Sequence, residues 1–353
     1  MPWYSYHLRM KALLFFTLFS INAWSASVAD LEAQLKQMPD RLSNRVQLAN
    51  AYFKINQFSK VVELLNPYTD QLDENSFLLL GSAYSSLKDH MNEVRVLTVM
   101  TSKKEVDHRW YMLLGQAHLK HASTLPQDKQ PPVHTLAIQS LRRTLQLQPK
   151  FKPAYDLLLI TFLQQRAHNE ARELLAEGIA NFGRRADLFR ELCRIDSGDG
   201  FLVQAIDHCR EAIKLAPTYP DNFVYLVQTM YDQGENEQAE RNITAAARKF
   251  PQSEFVQWAA GTLFMKKKNY PVSARYFSTG LKADGNSIRC AFGLAQSLYE
   301  TGDEETALPH FVKACAADKA TFHTFLSAGA KLKQKGNTSL GGRYTQAAYA
   351  CKN

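Results

Sequence analysis

One interval organises most of this sequence: equivalent residues recur every 34 positions. The segments FLLLGSAY and YMLLGQAH, at residues 77–84 and 111–118, repeat a ring, a Leu-Gly pair and a second ring in the same order. A fixed period of this length is typical of repeat proteins, in which each unit packs mainly on its neighbours. The repeat therefore constrains the fold more than the composition does.

The repeat divides the chain into units, whose first residues share the same phase. They are Leu42, Glu74, His108, Lys152, Ala186, Pro220, Glu254, Ile288 and Phe322. From Lys152 onward each unit starts 34 residues after the last, and an insertion near residues 123–134 lengthens the unit before it. We expect about eight units over residues 42–321, an N-terminal capping helix at 26–41 and C-terminal capping helices at 322–353.

The spacing within a unit predicts two α-helices. Apolar residues fall three and four positions apart, which places them on one helical face. Gly234 and Gly302 lie midway through their units, where glycine can end a first helix in the left-handed conformation. Small residues recur at the eighth and twentieth places, so the paired helices can approach closely. We expect Gly81 and Gly115 to mark such points of approach.

The pattern resembles the tetratricopeptide repeat (TPR) family, whose units follow W-x2-L-G-x2-Y, A-x3-F and a closing proline. FLLLGSAY fits the first part with Phe in place of Trp, and ALPHF at 307–311 fits the second. The resemblance extends over residues 28–350. The unit at Glu74 departs from it, because its second helix lacks the alanine, and Asp196 replaces a ring in another unit. The resemblance implies an all-α, right-handed superhelical solenoid of antiparallel helix pairs.

The resemblance also implies a concave groove lined by the second, fifth, sixth, ninth and twelfth places of the first helices. In the last full units these places include aromatic and amide side chains: Tyr225, Gln228, Tyr231, Phe255, Trp258, Phe292, Gln296 and Tyr299. Aromatic side chains give a large contact area, and amides can pair with a peptide backbone. The alternative is that some rings, above all Trp258 and Phe292, pack between units.

No catalytic or cofactor motif stands out. GAKLKQKGNTS at 329–339 lacks the spacing of a phosphate-binding loop, and no G-x-S-x-G is present. His118 and His121 can share a helix face, but a metal site needs three or four ligands. We expect a non-enzymatic chain with no cofactor and no metal.

The five cysteines suggest two disulfides. Contacting residues in an antiparallel helix pair have place numbers with a constant sum. By this rule Cys193 matches Cys209, and Cys290 matches Cys315, which leaves Cys351 free. In an oxidising compartment such pairs can form disulfides. The alternative is that these cysteines are small buried apolar side chains.

The N-terminus carries a targeting pattern. A lysine is followed by an apolar run at 12–19 and by small residues that suit cleavage after Ser25, which predicts a signal peptide over residues 1–25. The apolar run is shorter than the roughly 20 residues that span a bilayer. Met10 can be the true start. The first cysteine is Cys193, so the exported chain is not expected to be a lipoprotein.

The net charge of +8 favours anionic surfaces without selecting one. A basic C-terminal stretch, with Lys331, Lys335 and Lys352 among its residues, can touch an anionic membrane surface, and we expect no nucleic-acid partner. The favoured function is an exported scaffold that holds a partner protein or peptide in the groove, in an envelope, pilus, motility or secretion assembly. The alternatives are a carbohydrate or cell-wall polymer binding module and an accessory domain of an enzyme.

Overall fold

A computed structural model describes residues 27–103 and 106–352 of the chain. These residues form nineteen α-helices and three short 3₁₀ helices, with no strand among them. The all-α class predicted from the repeat is confirmed. None of the helices in this part of the chain is long and apolar enough to cross a bilayer. The predicted signal peptide, residues 1–25, lies outside the described residues.

The chain divides into two compact units, and the boundary in the sequence falls between Gln148 and Pro149. The helices of the first unit are α1 (Val28–Gln37), α2 (Leu42–Lys54), α3 (Phe58–Leu65), α4 (Glu74–Ser86), α5 (His90–Thr101), α6 (His108–Thr124) and α7 (Gln130–Leu147). The insertion lies at the junction of α6 and α7, which are the longest helices of this unit. Two of its prolines, Pro131 and Pro132, lie in the first turn of α7, where the backbone N–H groups have no partner within the helix.

The second unit contains twelve helices. They are α8 (Lys152–Gln164), α9 (His168–Phe182), α10 (Ala186–Gly198), α11 (Leu202–Leu215), α12 (Asp221–Asp232), α13 (Asn236–Lys249), α14 (Glu254–Lys266), α15 (Tyr270–Ala283), α16 (Ile288–Glu300), α17 (Glu304–Ala317), α18 (Phe322–Gln334) and α19 (Thr338–Lys352). Each helix packs on its neighbour in sequence, and the first helices α10, α12, α14 and α16 also pack on one another in turn. Each unit is therefore a stack of helix pairs.

Local signals set the helix ends. Ser253 and Ser287 accept hydrogen bonds from backbone N–H groups in the first turns of α14 and α16, which satisfies donors that have no partner within the helix. Gly234 and Gly302 follow α12 and α16 with φ of 89° and 87°. The left-handed conformation predicted for these two glycines is confirmed, and it reverses the chain between the helices of a pair.

The close approach expected at two glycines is present at one of them. A Cβ added to Gly115 would lie 2.8 Å from Cγ of Leu141 on α7, so only glycine fits between α6 and α7. A Cβ on Gly81 would lie 3.8 Å from Leu97, an ordinary contact. The expectation was wrong for Gly81, because the repeat identifies the facing position but not the size of the opposing side chain.

Alanines at the twentieth place form the seam between the helices of a pair. Ala171, Ala205, Ala239 and Ala307 are all fully buried. The larger Phe277, 1% exposed, fills the adjacent space and packs against Gly261 of α14 and Gly293 of α16. Alternation of small and large residues therefore lets the paired helices pack closely at this place.

Asp196 departs from the repeat and is buried. It occupies a place where other units have a ring, and it is 3% exposed. Arg172 Nε donates to it at 2.7 Å, and its other oxygen lies 2.8 Å from Nδ1 of His208. The buried carboxylate is thus paired on both sides, which offsets the cost of removing it from water, and it joins α9, α10 and α11.

Glu93 is the corresponding exception in the first unit. It stands where the seam alanine is missing, and it is 5% exposed. Its oxygens lie 2.8 Å from Nδ1 of His90 and 2.9 Å from Nζ of Lys120. An ion pair between α5 and α6 therefore replaces the close contact of small residues.

The disulfides differ in part from the prediction. Cys193 and Cys209 are bonded across α10 and α11. The second bond joins Cys315 of α17 to Cys351 of α19, and Cys290 is the free, buried cysteine. The predicted pair of Cys290 with Cys315, and the free Cys351, were therefore wrong. Matching heights in a helix pair do not fix the direction of a side chain: Cys290 faces back toward Gly280 of α15, whereas Cys315 packs in the C-terminal core.

Candidate functional site

Three predicted groove residues form an aromatic cluster on α12 and α14. The rings of Phe255 and Trp258 stack with centroids 5.7 Å apart, and Tyr225 meets Phe255 edge-on at 6.1 Å. All three side chains are half-buried. Burial raises the pKa of the Tyr225 hydroxyl, so this tyrosine remains neutral over the physiological range.

A cation covers two of these rings. The guanidinium of Arg289, at the start of α16, lies 4.7 Å from the centroid of Phe255 and 4.9 Å from that of Trp258. It is held there by Glu254, to which its Nε donates at 2.8 Å. Although burial opposes ionisation of Glu254, the hydrogen bonds from Arg289 hold the pKa of this carboxyl below its usual value. The rings therefore interact with a fixed positive charge.

A first, small concavity, of about 30 Å³, lies between α12 and α14. Its floor is apolar and its rim carries aromatic, amide and ammonium groups; the lining residues are Val224, Val227, Gln228, Tyr231, Trp258, Ala259, Thr262, Leu263 and Lys266. The ammonium of Lys266 lies 4.4 Å from the ring centroid of Tyr231. The amide nitrogen of Gln228 donates to Asp232 at 2.8 Å, which orients the side chain at the rim.

A second concavity, of about 560 Å³, is lined mainly by α16 and α18, with Met265 of α14, Tyr270 of α15 and Phe311 of α17 completing it. Its lining combines apolar side chains with several polar ones: Met265, Tyr270, Gln296, Tyr299, Glu300, Phe311, His323, Thr324, Ser327, Ala328 and Lys331. This volume is within the usual range of about 300–1,000 Å³ for ligand pockets. The lining offers both hydrogen-bond donors and acceptors beside an apolar wall.

The predicted groove residues are thus divided among three places. Tyr225, Gln228, Tyr231, Phe255 and Trp258 lie together on α12 and α14, and Gln296 and Tyr299 line the second concavity.

Two of the predicted residues belong mainly to the core. Phe292 is half-buried and meets Phe311 edge-on at 6.1 Å. Tyr299 is 7% exposed and its hydroxyl donates to the carbonyl of Ala328 at 3.1 Å. Tyr299 nevertheless lines the second concavity, and its role as a groove residue stays a prediction.

The two cations of the site, Arg289 and Lys266, were not predicted from the sequence. Arg289 is the second residue of its repeat unit. The second place is one of the positions assigned to the groove, so Arg289 could have been identified from the sequence. Lys266 lies outside those places, and its long side chain reaches back over Tyr231. Only the contact between α12 and α14 shows its position.

No cluster of three or more metal-ligating side chains occurs within residues 27–103 and 106–352.

Solved structures with similar folds place this geometry among helical repeat proteins. The C-terminal part of a TPR repeat-containing protein from Cytophaga hutchinsonii superimposes with a TM-score of 0.51, at 13% identity, over 70% of this chain and 99% of that chain. Looser superpositions are found with pilF of Pseudomonas aeruginosa (TM-score 0.43, 19% identity, 68% and 96% covered) and with YrrB, a TPR protein with an unusual peptide-binding site (0.42, 16%, 52% and 94%).

Neither the protein-family models nor the curated protein sequences give a match to this chain. The fold comparison and the 34-residue repeat agree, and both assign the chain to the TPR fold. The resemblance drawn from the sequence is confirmed.

Proposed function

We propose that the chain is a non-catalytic scaffold that binds a partner protein or peptide on the first helices of its second unit. The observation that carries the proposal is the first concavity, where an apolar floor is bordered by Tyr231, Trp258 and Lys266. Buried apolar contacts with aromatic side chains and a polar rim are typical of protein interfaces. Half-buried rings in such a position are well placed to dominate the binding energy.

The cations on the rings favour a protein partner over a carbohydrate. Sugars stack on open aromatic faces, whereas Arg289 covers one face of Phe255 and of Trp258, and Lys266 lies over Tyr231. A carbohydrate would have to displace these cations and lose their attraction to the rings. A peptide can use the ring edges and the cations together.

The test is affinity capture from an envelope extract with the protein and with Trp258→Ala. We expect Trp258→Ala to capture at least about ten-fold less partner than the wild-type protein, because removing a central aromatic anchor costs roughly 2 kcal/mol or more of binding free energy. The matched control is Val203→Ala, which shortens a 60% exposed side chain on the second helix α11.

Two outcomes contradict the proposal. Capture that is equal in the wild-type protein and in Trp258→Ala would remove the first concavity from the binding surface. Binding to purified cell-wall polymer that depends on Trp258, with protein capture unchanged, would favour the carbohydrate function instead.

We further propose that the chain is exported. Two disulfides, Cys193–Cys209 and Cys315–Cys351, support this proposal, because structural disulfides persist in oxidising compartments. The apolar N-terminal run supports it independently. Cell fractionation of a tagged chain tests it, and retention of the full-length chain in the cytoplasm would contradict it.

A further inference from the structure

We propose that the second concavity binds a small zwitterion, namely a free amino acid with a large apolar side chain. One side of the concavity presents an ammonium and two hydroxyls from α18, and the other presents a carboxylate and an amide from α16. Apolar side chains complete the lining. This site goes beyond the proposed function, which rests on the first concavity, so the two proposals can fail separately.

The concavity opens where the packing of the repeat changes. The first helices α10, α12, α14 and α16 pack directly on one another, whereas the last helix pair packs mainly through α19 on α17. The disulfide between Cys315 and Cys351 joins these two second helices. The space of about 560 Å³ beside α16 and α18 is therefore built into the C-terminal end of the stack.

The apolar part of the lining is held in place by the core behind it. Phe311 is 2% exposed, and its ring stacks on that of Phe325 with centroids 5.2 Å apart. The hydroxyl of Tyr299 on α16 donates to the carbonyl of Ala328 on α18 at 3.1 Å. An apolar ligand side chain that replaces water against Phe311 and Ala328 gains hydrophobic free energy.

The α18 side of the concavity suits a carboxylate. Thr324, Ser327 and Lys331 are three and four positions apart, which places them on one face of the helix. All three are exposed, and Lys335 follows one turn later, with its ammonium 5.7 Å from the ring centroid of Tyr299. Hydroxyl and ammonium groups donate hydrogen bonds, and a carboxylate accepts several of them at once.

The α16 side suits an ammonium. Gln296 and Glu300 are four positions apart and share one face of the helix. The carboxylate of Glu300 and the amide oxygen of Gln296 can accept from an ammonium, which has three N–H donors. The concavity therefore carries opposite charges on its two sides.

These polar groups are not used by the protein itself. Thr262 and Thr279 on other helices donate to the carbonyl four residues earlier at 2.9 Å. In contrast, six polar side chains of the second concavity make no hydrogen bond and no ion pair within the described part of the chain: Tyr270, Gln296, Glu300, Thr324, Ser327 and Lys331. Their donors and acceptors are available to a ligand.

The two charges favour a free amino acid over a segment of a longer chain. The backbone of a peptide that passes through the concavity carries neither an ammonium nor a carboxylate, so Glu300 and Lys331 would gain no partner from it. A free amino acid supplies both charges beside one apolar side chain. Hydrogen bonds between charged groups are stronger than those between neutral groups, which makes the two charges the main source of selectivity.

The test is isothermal titration calorimetry of the oxidised protein with leucine and with phenylalanine. Three analogues each lack one feature: glycine lacks the apolar side chain, leucinamide lacks the carboxylate and N-acetylleucine lacks the ammonium. We expect leucine and phenylalanine to bind, and each analogue to bind at least about ten-fold more weakly, because it loses the hydrophobic contact or one charge-assisted hydrogen bond.

Two variants assign the charges to their partners. Lys331→Gln should weaken the binding of leucine at least about ten-fold and leave that of leucinamide unchanged, because leucinamide has no carboxylate to lose. Glu300→Gln should weaken leucine in the same way and leave N-acetylleucine unchanged. The matched controls are Lys333→Gln on α18 and Glu237→Gln on α13, two exposed residues outside the concavity, which should leave binding as in the wild-type protein.

Two results would overturn the proposal. The first is that neither leucine nor phenylalanine binds. The second is equal affinity for leucine, leucinamide and N-acetylleucine, which would reduce the site to an apolar contact without charge recognition. Neither result affects the capture experiment with Trp258→Ala, which tests the first concavity on its own.

Discussion

The eleventh place is buried in most of the repeat units, and three units fill it with different chemistry. Tyr84 is 4% exposed, His118 is 7% exposed and Asp196 is 3% exposed. Asp196 is satisfied by an arginine and a histidine, whereas Nδ1 of His118 is buried without a hydrogen-bond partner. A titratable ring in this state makes the stability of the fold depend on pH.

His118 is expected to destabilise the fold in acid. Burial lowers the pKa of its imidazole below the ordinary 6.5, and His121 adds to the shift. As the pH falls below 6.5, the unfolded chain takes up the proton before the folded chain does. The free energy of unfolding therefore falls from this pH downward until the folded imidazole is also protonated. In His118→Phe this loss should be smaller, as measured by urea unfolding at pH 7.5 and pH 5.

A tyrosine variant at the same place provides the control. The pKa of Tyr84 is raised above 10 by burial, so its hydroxyl does not titrate in acid. In Tyr84→Phe the free energy of unfolding should fall between pH 7.5 and pH 5 by as much as in the wild-type protein. The pKa of His310 is also lowered by burial. The free energy of unfolding of His118→Phe should therefore still fall in part as the pH is lowered. An unchanged slope in His118→Phe would contradict the prediction.

At the scale of the helix, the sequence predicted the elements well. The helices α4, α6, α8 and α14 begin at Glu74, His108, Lys152 and Glu254, which are first residues of repeat units. A 34-residue period averages the hydrophobic pattern over many copies, so local exceptions such as Asp196 do not shift the register.

The contacts between elements were less predictable. A place number gives the height of a residue on its helix, but not the neighbour that its side chain faces. Cys351 was taken as free because the place rule paired the other four cysteines with one another, yet α19 packs on α17 and brings Cys351 to Cys315. Arg289 and Lys266 reach the groove rings through long side chains, whose direction depends on the packed neighbours.

The bond between Cys315 and Cys351 should hold the last helix in place. The cysteines are 36 residues apart in sequence, and closing a loop of this length contributes about 4 kcal/mol under the chain-entropy model. Cys351→Ser should therefore lower the melting temperature of the oxidised protein. The difference should vanish when both proteins are reduced.

Non-reducing peptide mapping checks the pairing directly. We expect linked peptides for Cys193 with Cys209 and for Cys315 with Cys351. The thiol of Cys290 should be alkylated only after unfolding, because it is fully buried and burial raises its pKa to about 12. A peptide that links Cys290 to Cys315 would contradict the structure.

At the scale of the whole molecule, stability is expected to be regional. Each helix pair contacts mainly its neighbours, so the free energy of a repeat protein is close to a sum of local terms. The chain has two compact units, and the buried cluster around Phe77 in the first shares no residue with the cluster around Phe277 in the second. A change in one core should therefore leave local opening in the other unaffected.

Gly293→Ala tests this independence, because the added methyl group would overlap the ring of Phe277, which is 1% exposed. Overpacking of this kind costs about 1–3 kcal/mol. Hydrogen exchange should accelerate in peptides from α14 to α16 and remain as in the wild-type protein in α4 to α6. Gly198→Ala, whose added Cβ has no neighbour within 4 Å, should slow exchange slightly at the end of α10 or leave it unchanged. Equal acceleration in both units after Gly293→Ala would instead show that the chain unfolds as a single cooperative block, since a local cost would then have spread to helices that share no core with it.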